Sequence, residues 1–413
     1  MTDVTLDWCT EQDAHDPLGN YRSRFDIPEG VIYMDGNSLG PLPVGVSEHV
    51  ASVINNEWRD GLVKSWNDAD WINLPERTAA KIAPLIGAAA HEVILADSTS
   101  VNLFKTAAAA CKLNPGRTQI LSEPGNFPTD LYMMEGLASF LGGDYHLDTV
   151  AREDITAAIT DDTAVVLLTQ VHYITADMLD IGAITKAAHN KGALVVWDLS
   201  HSTGAVPVDL HAANADMAVG CGYKYLNGGP GAPAFIYVAE RHQNVIQQPL
   251  SGWFGHKAPF DFVDEYVPST GIKCMLTGTT GVLAASALNK ALDAFAGVDM
   301  ALVREKSVAL TDLFITLTES KLKRFDVGLA TPKNSARRGS HVSLIHPNAY
   351  AVMQALIERG IIGDFRAPNH LRFGITPLYL GYSDVFQAIS ALEEVLKSGV
   401  WREEKFSEKS AVT

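Results

Sequence analysis

Cysteine is scarce in this 413-residue sequence, and the four that occur, Cys9, Cys111, Cys221 and Cys274, lie far apart with no paired spacing. That pattern offers neither a disulfide framework nor a zinc site, and it reads as small buried or surface thiols with no metal expected. No apolar run approaches the roughly 18 residues that a membrane span requires. The opening residues Met1-Thr2-Asp3-Val4 lack the basic-then-apolar order of a signal peptide, so a cytoplasmic protein is expected. Positive charge is also in deficit: 32 Lys and Arg stand against 48 Asp and Glu, a formal net charge of −16. Such a balance opposes binding to nucleic-acid backbones and to anionic membranes, so any anionic ligand must be held by a local site. No Gly-x-Gly-x-x-Gly follows a strand-like run, and the run Gly228-Gly229-Pro230-Gly231 lacks the Gly-Lys-Ser/Thr ending of a nucleotide loop. ATP and NAD readings therefore have little support. Internal repeats, low-complexity tracts and Gly/Ser linkers are missing too.

What is present is a chain long enough for two or three domains, with 47% apolar and 8% aromatic residues to build a core. In its middle, a short apolar run, a polar turn and a helical stretch alternate. Ala164 to Leu168 reads as a buried strand, Ile181 to Lys191 as a helix closed by Gly192, and Ala193 to Trp197 as the next strand, which makes a βαβ unit. Glu92 to Ala96, Gln119 to Ser122, Met217 to Gly220 and Ala234 to Val238 are further strand candidates. Being apolar on both faces, they fit a mostly parallel α/β sheet covered by helices. Beyond residue 298 the texture changes to long amphipathic helices, Ala301 to Leu322, Ala349 to Arg359 and Ser383 to Lys397, with shorter strand-like pieces such as His370 to Ile375. The expected organisation is a large domain over 45–298, and a small α+β domain from 1–44 with 299–413.

In open parallel sheets the ligand sits beyond the carboxyl ends of the strands, so the polar residues there carry the chemistry. One strand ends in Asp198-Leu199-Ser200-His201, another in Cys221-Gly222-Tyr223-Lys224, a third in Asp97-Ser98-Thr99-Ser100. A lysine in such a place can form a Schiff base with an aldehyde cofactor, and Lys224 is the candidate. A carboxylate against a pyridine nitrogen keeps it protonated, which suits Asp198. Hydroxyls at the start of a helix can cradle a phosphate with the helix dipole behind them, which suits Thr99 and Ser100. Taken singly, each has a plainer explanation: Asp198 as a helix cap, Lys224 as a solvated surface charge, the glycine run as a turn. Their order along the chain makes the set more specific than its members.

Asp198-x-x-His201 followed by Gly222-Tyr223-Lys224 and a glycine-rich tail resembles the class V aminotransferase branch of the fold-type-I pyridoxal 5'-phosphate (PLP) enzymes. Several segments resemble the kynureninase family within it: Tyr33-Met-Asp35-Gly36-Asn37-Ser38-Leu39-Gly40, Phe127-Pro128-Thr129-Asp130, Tyr223-Lys224-Tyr225-Leu226-Asn227, Ser251-Gly252-Trp253-Phe254-Gly255-His256 and Leu371-Arg372-Phe373-Gly374. The resemblance implies a fold-type-I architecture with a seven-stranded type of sheet. It also implies hydrolysis of L-kynurenine to anthranilate and alanine in tryptophan catabolism, 3-hydroxykynurenine being the related substrate that serves NAD biosynthesis.

By that resemblance Lys224 holds PLP, Phe127 stacks on its ring, and Asp198 binds the ring nitrogen with Asp130 close by. Thr99, Ser100, Tyr223, Trp253 and Thr279 surround the phosphate, and His201 and Thr169 lie near the cofactor. Trp253 and Thr279 are candidates to come from the partner subunit of a homodimer. Arg372 would clamp the substrate carboxylate, a group its planar fork matches. Tyr223 is the candidate for proton transfer in the later steps. Asn37 and Trp66 would contact substrate, Trp66 bordering the aryl ring and favouring kynurenine over its hydroxylated form, unless Trp66 and Trp71 simply anchor each other at the surface. The same fold also serves cysteine desulfurases, which need a mobile cysteine that only Cys274 could supply, and aminotransferases or epimerases. A non-catalytic PLP-fold binding protein is the reading from another class, and the joint presence of Lys224, Asp198 and Arg372 argues against it.

Overall fold

The computed structural model describes residues 4–408; residues 1–3 and 409–413, the extreme ends of the expected small domain, lie outside the description. In chain order, helix α1 (Leu6–Ala14) and the short strand β1 (Ile32–Tyr33) precede an alternation of strands and helices. These are β2 (Val93–Ala96), α2 (Thr99–Leu113), β3 (Gln119–Ser122), α3 (Pro128–Leu141), β4 (His146–Thr149), β5 (Thr163–Thr169), α4 (Ile181–Asn190), β6 (Leu194–Asp198), β7 (Met217–Gly220) and β8 (Ala234–Val238). The strands form one seven-stranded sheet in the order β2-β8-β7-β6-β5-β3-β4, all parallel except β8, which runs antiparallel to both its neighbours.

Side chains alternate across that sheet. Leu95, Leu121, Val166, Val195 and Phe235 join one hydrophobic core, while Ile94, Ile120, Val165, Val196 and Ile236 join another on the opposite face. Both faces are therefore dry, which is why these strands read as continuous apolar runs. The strand β4 has no counterpart in the sequence reading. Its His-Leu-Asp-Thr is polar and half exposed, as an edge strand with a single neighbour can be. Helix α4 starts where the Asp180 side chain accepts the Ala183 N–H at 2.9 Å, and the chain leaves it through Gly192 at φ +75°.

The rest of the chain adds α5 (Met300–Leu317), β9 (Gly328–Leu329), β10 (His341–Ile345), α6 (Ala349–Ile357), β11 (Ile361–Ile362), β12 (Asp364–Arg366), β13 (His370–Gly374) and α7 (Tyr382–Ser398). The expected helix to Leu322 stays α-helical to Leu317 and widens into a π turn over Thr318–Leu322. A four-stranded antiparallel sheet runs β9-β10-β13-β12, and β1 pairs in parallel with β11. The N-terminal segment is thus stitched to the C-terminal part. Val303, Leu310, Val342, Phe373 and Leu392 belong to the same core as Leu95 and Val195, so apolar packing continues without a break between the two sheets. No helix among the described residues is long and apolar enough to cross a membrane.

Candidate active site

The carboxyl ends of the parallel strands converge on one rim. Thr169, last in β5, is the register partner of Asp198, last in β6. Asp198 is buried and accepts the Ser200 N–H at 2.8 Å, so it does cap the following turn. It also lies beside a second buried carboxyl, Asp130, on the first turn of α3. Thr169 Oγ1 is 3.1 Å from Asp130 Oδ2 and also bonds Asn126 Oδ1. Burial, then the Asp198 charge, pushes the Asp130 carboxyl far above its usual range, and burial raises Asp198 as well. Two acids so close in a dry place favour holding a proton, and a cationic group such as a protonated pyridine nitrogen would stabilise the ionised form of Asp198.

Lys224 sits on a loop after β7. The Gly228 N–H closes that loop onto Gly222 O at 2.9 Å, Asn227 adopts φ +58° and donates its N–H to Lys224 O at 2.9 Å, and Gly40 N–H reaches Tyr223 O at 2.8 Å. Two of the sequence motifs, 33–40 and 223–227, are therefore in contact. Lys224 Nζ is buried, 3.4 Å from His201 Nε2 and 5.7 Å from the centre of the Phe127 ring. Burial is the main force lowering both the Lys224 and the His201 pKa, the latter well below the usual imidazole range, which favours the neutral form of each. Burial raises the Tyr223 pKa, with the Cys221 and Asp198 charges acting the same way, and the group remains a phenol able to give a proton.

Next to Tyr223 opens a cavity of about 410 Å³, lined by Thr99 and Ser100 from the first turn of α2 and by Thr277 and Thr279 from the opposite wall. Ser98 is used up as the cap of α2, accepting the Val101 N–H. The Thr99 and Thr277 hydroxyls, in contrast, are buried with no hydrogen-bond partner. Thr99 opens helix α2, where an orphan hydroxyl is what a phosphate would satisfy, so the residues fit PLP: Asp198 and Phe127 would hold the ring, Lys224 the aldehyde, and this cavity the phosphate. Thr279 lines it within its own chain.

Arg372, on β13, is buried and already engaged. Its Nε donates to Asp364 Oδ1 at 2.8 Å, Nη2 to Asp364 Oδ2 and to Ser38 Oγ at 2.7 Å, and Nη1 to Tyr173 O. Four of its five N–H groups are used, leaving one on Nη1 without a partner among the described residues. Asp364 was not singled out in the sequence, although it stands opposite Arg372 in the β12–β13 hairpin register. Asn37 is fully buried with both amide atoms unpartnered, as are both ring nitrogens of His341, another residue the sequence did not flag. Phe127 and Trp253 are 39% and 36% exposed, so neither is a buried core aromatic. Trp253 packs on Phe254, Phe260 and Phe262, and Trp66 lies edge-on to Trp71 at 5.9 Å and tilted against Phe254 at 5.8 Å. Trp253 and Trp66 thus share Phe254 as an aromatic neighbour in this chain, and Trp66 and Trp71 pack together half-buried, with Trp66 also against a hydrophobic core. Among the described residues no cluster of His, Cys, Asp or Glu is placed to hold a metal ion.

Comparison with known proteins agrees with this geometry. A cysteine desulfurase from Thermococcus onnurineus NA1 superposes with a TM-score of 0.76 at 19% identity, covering 92% of this chain and 98% of that one. Residues 105–248 match the Cys/Met metabolism PLP-dependent enzyme family. Fold and site thus define a fold-type-I PLP enzyme. Residues 303–392 match the kynureninase C-terminal domain family. A kynureninase from Pseudomonas fluorescens is 49% identical over 99% of this chain and its own whole length, and one from Deinococcus radiodurans is 52% identical over 93% of this chain and 94% of its own. The chain belongs to the kynureninase family.

Proposed function

We propose that this chain is a PLP-dependent hydrolase that adds water across the Cβ–Cγ bond of L-kynurenine, giving anthranilate and L-alanine. The observation that carries the reading is the buried Lys224 amine, 3.4 Å from a neutral His201 and under the exposed Phe127 ring, with Asp198 and Asp130 on the adjoining strand and helix ends. When bound, the cofactor supplies an electron sink to the substrate α-carbon. Lys224, its pKa lowered by burial, is the base for the Cα proton. Asp198 holds the proton of the ring nitrogen, with Asp130 and Thr169 fixing its setting. Arg372 holds the α-carboxylate with its remaining N–H, and the free amide of Asn37 awaits a polar group of the substrate. Tyr223, a phenol at neutral pH, returns a proton to Cβ after the bond breaks.

A desulfurase reading lacks its nucleophile. All four cysteines are buried, and burial pushes the Cys274 thiol up to about 11, away from the reactive thiolate. Kinship extends the proposal to a cytoplasmic homodimer of tryptophan catabolism, with 3-hydroxykynurenine as the second substrate. Purified protein supplied with PLP and L-kynurenine should release fluorescent anthranilate and alanine in equal amounts. Borohydride reduction of the PLP-loaded protein should place the pyridoxyl group on the Lys224 peptide. A label on another lysine would overturn the site assignment, and no anthranilate would overturn the reaction.

A further inference from the structure

The cavity assigned to the cofactor phosphate contains, among the described residues, no lysine, arginine or histidine in its lining. It does contain a carboxylate, Asp97, which a phosphate dianion should repel. Asp97 forms the turn between β2 and α2 at φ +39°, a left-handed conformation that residues other than glycine seldom adopt. It is held by Lys105, farther along α2, whose side chain is wholly buried. Lys105 Nζ lies 2.6 Å from Asp97 Oδ2 and donates to Met275 O at 2.7 Å. Met275 leads directly into the second wall of the cavity, residues 276–281. A single ammonium thus ties the turn carrying Thr99 to the segment carrying Thr277, the two hydroxyls left without partners. Burial lowers the Lys105 pKa, and the Asp97 charge acts against that lowering.

We infer that Lys105 is a positioning residue for the cofactor phosphate: it offsets the charge of Asp97, which lines the same cavity, and sets the spacing of the two walls. The inference rests on the PLP reading of the site. Its reach is confined to the phosphate, since neither bond of Lys105 involves a residue near the ring or the aldehyde. Loss of Lys105 should therefore weaken PLP selectively relative to pyridoxal, which has the same ring and aldehyde but no phosphate.

The test is a titration of the full-length apoprotein with PLP and, separately, with pyridoxal, following the absorbance of the Lys224 adduct. Lys105→Met should raise the PLP Kd by at least about tenfold while moving that of pyridoxal by less than about threefold, and Lys105→Arg should recover most of the loss. Asp97→Asn, which removes the repelling carboxylate and leaves Lys105 its bond to Met275 O, should increase the preference for PLP over pyridoxal. Equal losses for the two aldehydes in Lys105→Met would make Lys105 a purely structural residue and overturn the inference, as would an unchanged PLP Kd. Should Lys105→Met fail to fold, Asp97→Asn decides: a preference that is unchanged or smaller overturns the inference. Failure of the PLP reading itself looks different, because the unsubstituted chain would then form no adduct on Lys224 with either aldehyde.

Discussion

At the scale of single residues, Arg372 shows how a buried cation can be both structural and available. Asp364 and Ser38 fix the plane of the guanidinium, so the remaining N–H is aimed without help from the substrate. A lysine cannot reproduce that fork and would leave Asp364 underpaired. Arg372→Lys should raise the KM for kynurenine by about tenfold or more with PLP content unchanged. Steady-state kinetics together with the cofactor absorbance check this, and an unchanged KM would move the carboxylate site elsewhere. The neighbouring Asp35 gives a second expectation. Burial first, and the Asp364 charge second, push its carboxyl from 3.8 up to about 8. The folded chain then keeps a proton that the unfolded chain releases at 3.8, so folding stability should fall as pH rises from there to about 8. Urea melts across that window should show the decline, and Asp35→Asn should flatten it; a slope identical in the variant would assign the effect to another group.

At the scale of elements, the loop from Cys221 to Gly228 depends on contact too close for any side chain at its first glycine. A Cβ on Gly222 would lie 2.4 Å from Pro233 O and 2.7 Å from Leu288 Cδ2, so the loop would have to move and Lys224 with it. Gly222→Ala should cost about 1 to 3 kcal/mol of stability and lower PLP occupancy. Thermal melts and the cofactor spectrum are the measurements, and a variant with full occupancy would show that the loop yields without shifting Lys224. That loop was legible in the sequence for a physical reason. A buried strand stops where its apolar run stops, and a parallel sheet lines those stops up along one rim, so Lys224, Asp198, Thr99 and Ser100 could be picked out beforehand. Strand β4 could not, because an edge strand needs no apolar alternation. Asp364 and Lys105 escaped notice for a related reason. Their roles come from partners, one set by hairpin register and the other by burial under the sheet rim, and neither is displayed by the residues on either side.

At the scale of the whole molecule, two stretches carry apolar side chains that one chain leaves in water: Trp58, Leu62 and Val63, the last 77% exposed, and Phe260, Phe262 and Val263, with Phe262 78% exposed. Surfaces of this kind are covered in assemblies. Trp253 packs against the second stretch, with Phe260 at 5.6 Å and Phe262 at 6.4 Å. The kynureninase resemblance makes Trp253 a candidate to serve the phosphate site of a second copy, in which case this apolar surface lies at the subunit interface. The arrangement has a sharp consequence for mixed subunits. Lys224→Ala and Trp253→Ala chains should each be nearly inactive alone. When they exchange subunits at equal amounts, half the dimers are hybrids, and each hybrid regains one site built from an intact Lys224 and an intact Trp253. Activity should return to about a quarter of the unsubstituted level, the share of sites that such a two-fold assembly restores. Were Trp253 to act within its own chain, every site in every hybrid would carry one lesion and no activity would return. Anthranilate release before and after exchange, with the dimer verified by sedimentation, separates the two outcomes.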